Sequence, residues 1–109
     1  MASSTPRFQD MMSDVSWFSD DLLGRFLRYV RVHTTSDPHI ATTPSTERQF
    51  DLARMLASEL RDLGVSDVVL DDHCNLVARL PGTVSGATPI GFMAHVDTAP
   101  DFSGDGVNP

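Results

Sequence analysis

Ile90-Gly91-Phe92-Met93-Ala94-His95-Val96 is a nearly unbroken apolar run, and Asp97 ends it. A strand with one wet face alternates apolar and polar residues, whereas a continuous apolar run of this length suits a strand covered on both faces. The run therefore predicts a buried central strand over residues 90–96. It makes the fold class α/β, with the rest of the chain supplying cover and neighbours for that strand.

Working back from it, Pro81-Gly82 and a Gly/Ser/Thr-rich stretch to Thr88 form a loop. Leu76-Val77-Ala78-Arg79-Leu80 and Val68-Val69-Leu70 are β-prone, and the polar turn Asp71-Asp72-His73-Cys74-Asn75 separates them. They predict a hairpin, with Asn75 as the residue suited to a positive φ. Upstream, Phe50, Ala53, Leu56, Ala57, Leu60 and Leu63 recur at helical spacing and stop at Gly64. Thr46 and Gln49 stand at capping-box spacing, so a helix over residues 46–63 is expected. Residues 34–45 hold two prolines and no periodicity, as a loop does. Before them Leu22, Leu23, Phe26, Leu27 and Val30 mark an amphipathic helix over residues 20–31. Ser19 serves as its cap, Asp20 and Asp21 lie at its positive end, and Arg28 and Arg31 at its negative end.

Ser3, Ser4, Thr5 and Pro6 suggest a disordered tail over residues 1–18, leaving residues 19–109 as the folded part. Met11 and Met12 are possible alternative starts. Residues 97–109 are loop-like, and a domain rarely stops just beyond a buried central strand, so the expected domain is incomplete.

The 109 residues carry 15 acidic side chains against eight arginines, with no lysine, for a net charge of −7. That surface repels phosphate backbones and anionic headgroups, which argues against nucleic-acid and membrane-surface partners. The single cysteine, Cys74, has no partner for an internal disulfide, so a reducing compartment is expected. Residues 1–17 have Arg7 as their one cation and no seven-residue apolar stretch, unlike a secretory signal.

The strongest chemical signal is His95-Val96-Asp97 at the carboxyl end of the expected strand, where ligands of open α/β sheets gather. Residues i and i+2 of a strand share a face, so the imidazole and the carboxylate can meet. A metal-bound histidine commonly donates its other N–H to a carboxylate, which fixes the tautomer. By itself the spacing more often marks a strand-end histidine bonded to backbone. His33, His39 and His73 read as exposed titrating groups, Asp71-Asp72 as a solvated turn, Asp101 as loop structure, and Cys74 as lacking a nucleophile's neighbouring base.

Thr42-Thr43-Pro44-Ser45-Thr46-Glu47, Asp51-Leu52-Ala53-Arg54, the segment from Ala94 to Gly104, and Val107-Asn108-Pro109 closely resemble peptidase T. That family comprises cytoplasmic bacterial tripeptide aminopeptidases among the two-zinc exopeptidases. The resemblance runs from about Leu22 to Pro109 and implies the amino-terminal part of a zinc-exopeptidase α/β catalytic domain. It implies two zinc ions per complete enzyme, short peptides as substrates, and a cytoplasmic location. It assigns His95 as a ligand of one zinc and gives Asp97 to the catalytic apparatus, as the carboxylate orienting the His95 ring. The other metal ligands and the glutamate base would lie in a carboxyl-terminal portion. Asp105-Gly106 departs from a Lys-Asn pair common in the family, and Cys74-Asn75 from a glycine-containing turn. The competing expectation is a truncated, non-catalytic remnant or interaction module.

Overall fold

A computed structural model describes residues 15–109. The elements run α1 (Ser16–Tyr29), α2 (Gln49–Asp62), β1 (Asp67–Leu70), β2 (Leu76–Arg79) and a 3-10 turn, Pro100–Phe102. Residues 1–14, most of the expected tail and both internal methionine starts, lie outside the described residues.

The centre is α2 on the hairpin. Gln49, Leu52, Ala53 and Ala57 are its buried residues, spaced i, i+3, i+4 and i+8 on one face. The two alanines are closed off almost completely, which lets the helix backbone approach the strands. The helix stops as the sequence predicts. Gly64 takes φ 91°, its N–H donates to the Arg61 carbonyl at 2.9 Å, and Val65 N–H donates to Leu60 at 3.0 Å. This is the Schellman closure, and Val65, which follows it, is buried.

The hairpin is also as expected. β1 and β2 pair antiparallel from Asp67 opposite Arg79 to Leu70 opposite Leu76. Its turn is organised by Asp71, whose carboxylate accepts from the N–H groups of His73 and Asn75 at 2.9 and 2.8 Å and from the Asn75 amide at 3.0 Å. The bonds from Asn75, then that from His73, hold the Asp71 carboxyl below its ordinary value. The positive φ falls on Cys74, at 64°, and not on Asn75. Asn75 is instead occupied as the carboxylate's donor, and a cysteine in the left-handed region costs about 1–2 kcal/mol.

Both helix starts differ from expectation. α1 begins at Ser16, so Ser19 lies inside it and its N–H donates to the Val15 carbonyl at 3.0 Å. Asp21 is used four residues on, against Arg25 at 2.7 Å, and no acid sits in the first turn. α2 begins at Gln49. The Thr46–Gln49 pair forms a turn before the helix, with Gln49 Nε2 donating to the Thr46 hydroxyl at 3.2 Å, because the Thr46 hydroxyl donates to the Thr35 carbonyl at 2.8 Å.

The apolar stripe of α1 stays about half exposed, and no residue of the helix is buried. What ties α1 to α2 is polar. Glu59 of α2 accepts from Arg25 and Arg28, each at 2.6 Å, and from the Tyr29 hydroxyl. Burial pushes the Glu59 carboxyl up, but the Tyr29 and Arg28 hydrogen bonds and the two arginine charges outweigh it and leave it below its usual value. The clasp's contribution is therefore present above the unfolded carboxyl range and is lost as pH falls through the folded value.

The largest departure concerns residues 90–96. No strand forms there, and Ile90, Phe92 and Met93 are 83%, 97% and 100% exposed. A strand is defined by its neighbours, and the one sheet among the described residues is the two-stranded hairpin, which pairs only with itself. The α/β class stands on the two helices and the hairpin. Among the described residues no helix is long and apolar enough to cross a membrane.

Candidate functional site

Residues 97–104 dock against residues 33–36. Thr98 and Thr35 form an isolated parallel bridge: Thr98 N–H donates to Thr34 at 3.4 Å, and Ser36 N–H donates to Thr98 at 3.1 Å. β-Branched threonines suit this extended pairing. Pro100 opens the 3-10 turn and Phe102 N–H closes it onto Ala99 at 3.0 Å. The loop returns at Gly104, at φ 69°, where a Cβ would stand 3.6 Å from the Thr98 side chain. That separation is ordinary van der Waals contact, so it is the left-handed backbone that favours glycine there.

Asp97 sits immediately before the bridge, and His95 lies two residues earlier. Their side chains meet, His95 Nδ1 to Asp97 Oδ1, at 3.0 Å. The imidazole side chain is 84% exposed and the carboxylate 36%. Burial raises the Asp97 carboxyl, while hydrogen bonds from His95 and Ser36 and its own backbone N–H pull it down, and the net result lies below the ordinary value. Asp97 is thus ionised near neutral pH and can only accept, so His95 Nδ1–H donates. In the neutral ring this leaves Nε2 with its lone pair facing solvent.

The other candidates sit elsewhere. His33 is not simply exposed: its Nε2 lies 2.9 Å from the Thr35 hydroxyl and 2.8 Å from Arg48, and its Nδ1 lies 3.4 Å from Asp105. His39 lines an open groove of about 340 Å³ with Ser36, Asp37 and Arg48. His73 and Asp72 belong to the hairpin turn, and Asp101 is the middle residue of the 3-10 turn. Burial pushes the Cys74 thiol up, the wrong direction for a nucleophile. Among the described residues no three His, Cys, Asp or Glu side chains converge to hold a metal ion.

Sequence reasoning missed the docking of Thr34-Thr35-Ser36 onto Thr98. The sequence reading placed Thr34 and Thr35 in a loop, and a pairing across 63 residues has no local signature.

No family model matches the chain. Among curated relatives, peptidase T of Geobacillus kaustophilus is 50% identical over 90 residues. Peptidase T of Vibrio parahaemolyticus is 53% identical over 89 residues, and that of Edwardsiella ictaluri 53% over 91. These matches cover 81–83% of this chain and 22% of each relative, so the chain spans about a fifth of the length of the curated relatives it matches. With half of the aligned residues identical over four fifths of its length, the chain is a sequence relative of peptidase T, and the short share of each relative that it covers is consistent with the amino-terminal portion of such a protein.

Proposed function

We propose that this chain is the amino-terminal portion of a zinc-dependent tripeptide aminopeptidase of the cytoplasm, in which His95 is a ligand of one of two zinc ions and Asp97 orients its ring. The observation that carries the reading is the 3.0 Å His95–Asp97 contact, with the imidazole otherwise open to solvent. Relatives named peptidase T support the peptidase part of it.

An imidazole nitrogen with a free lone pair and a carboxylate on the opposite nitrogen is a donor that suits zinc. The described residues thus fit one ligand of a zinc site. A bound zinc supplies polarisation of the scissile carbonyl and a water acidic enough to ionise near pH ~7. The chain's own part is to hold and to aim. Asp97 keeps the proton on Nδ1, so Nε2 remains a donor to metal. Thr98, fixed by its bridge to Thr35, keeps the Asp97 backbone in place.

A second reading, a non-catalytic remnant or interaction module, draws on the bare Phe92 and Met93 side chains. A chimera separates the two, with this chain replacing the matching segment of the Geobacillus kaustophilus peptidase T. The zinc reading expects release of the amino-terminal residue from tripeptides, loss on chelation and recovery with zinc. A folded chimera that leaves tripeptides intact contradicts it.

A further inference from the structure

We infer that Thr35 is a positioning residue for the His95–Asp97 pair, its hydroxyl acting with that of Thr98 to clamp the loop from which Asp97 reaches back to the imidazole. The inference rests on the reading of that pair given above and adds a residue to it.

Among the described residues, no strand or buried apolar contact upstream holds the pair. Residues 90, 92 and 93 are almost fully exposed and no strand flanks them, so the position of Asp97 must be set from its other side. There the chain is fixed at Thr98, whose N–H donates to Thr34 and whose carbonyl accepts from Ser36 N–H at 3.1 Å, with Ser36 Oγ 3.2 Å away. Those bonds hold Thr98 to residues 34–36, and Thr35 is the centre of that segment.

Thr35 is buried, 9% exposed, in a neighbourhood of side-chain partners. Its hydroxyl donates to the Ser103 carbonyl, and Thr98 Oγ1 donates to the same carbonyl at 2.7 Å. The two hydroxyl oxygens lie 3.2 Å apart, one from each side of the bridge. A carbonyl has two lone pairs, so this pair of donors saturates Ser103 and closes residues 98–103 into a loop anchored on Thr35. The Thr35 carbonyl accepts from Thr46 at 2.8 Å, which ties the assembly to the turn leading into α2. Thr35 therefore links three stretches of chain, and one of them carries Asp97.

A hydroxyl is required at this position, and β-branching alone is insufficient. Valine keeps the shape and backbone bridge but removes one of Ser103's two donors and faces its methyl to the Thr98 hydroxyl. Serine keeps the donor and loses only the methyl.

The test uses the 109-residue chain labelled with nitrogen-15. The ratio of Nδ1–H to Nε2–H forms of the His95 ring is read from long-range proton–nitrogen correlations at one pH above the usual histidine range of ~6.5. The fold is followed in parallel through the hairpin amide shifts. Wild type is expected to favour Nδ1–H. Thr35→Val lowers the ratio roughly fivefold, the worth of one ordinary protein hydrogen bond, and Thr35→Ser restores it. Should Thr35→Val lose the hairpin shifts, Thr98→Val, which removes the other donor to Ser103, is read in its place with the same expected fall. An unchanged ratio in a folded valine variant, or a serine variant that behaves like valine, overturns the inference and leaves the zinc reading to the chimera assay. A wild-type ring without an Nδ1–H excess overturns it as well.

Discussion

If the proposed zinc reading holds, His95→Ala in the chimera is expected to abolish tripeptide hydrolysis and lower bound zinc, whereas Asp97→Asn is expected to keep most of the metal and slow turnover by about 10–100-fold. The difference follows from where each side chain acts. On the proposed reading, removing the imidazole would remove a metal–nitrogen bond, and among the described residues no group of three His, Cys, Asp or Glu side chains is placed to hold a metal in its stead. Asparagine at position 97 keeps the shape of the carboxyl group and an oxygen able to accept from His95 Nδ1–H. It loses the negative charge that makes the ring a better donor, and its amide can present N–H₂ to Nδ1 instead, which stabilises the wrong tautomer. Steady-state kinetics with tripeptides and zinc content by elemental analysis read both variants in the chimera. Equal, negligible effects of the two substitutions refute the roles assigned to them.

The second large effect concerns the chain alone. The 109-residue protein is expected to hydrolyse no tripeptide at a measurable rate and to bind zinc weakly. A catalytic zinc takes about three protein ligands and an open position, and a paired site also needs a bridge between its metals. Here His95 is a single exposed donor. His33 is engaged with Thr35, Arg48 and Asp105, His73 lies on the hairpin turn, and His39 lines a separate groove. Calorimetric titration with zinc and an assay for the released amino-terminal residue decide the matter. Submicromolar zinc binding with chelator-sensitive turnover is the contradicting result, and it would mean that the site is completed by groups other than those named here.

How much of this was legible in the sequence depended on how local each signal was. The α2 stripe, its Gly64 closure and the hairpin were readable because each is decided within a few residues. The Schellman bonds from Gly64 and Val65 and the Asp71 turn complete themselves without help from the rest of the chain. The helix starts were misread for two different reasons. Thr46 serves Thr35, and Ser19 is inside a helix that begins at Ser16. The cysteine at φ 64° was missed for a reason like that at Thr46, since Asn75 looked like the residue for a positive φ and was needed as a donor to Asp71. Residues 90–96 carry the opposite lesson. Their apolar run speaks of burial, but burial and strand pairing are properties of neighbours, and the hairpin offers them none. His95 and Asp97 meet because they are two residues apart, which is why the sequence could place them together. The Thr35–Thr98 clamp is invisible in either segment alone.

The most direct test of the central claim, that His95 holds a catalytic zinc, is anomalous diffraction at the zinc edge from crystals of the chimera. The account predicts a zinc peak about 2.0–2.1 Å from His95 Nε2, with Nδ1 on the Asp97 carboxylate. Zinc bound elsewhere in an active chimera, with the His95 ring unligated, would contradict it.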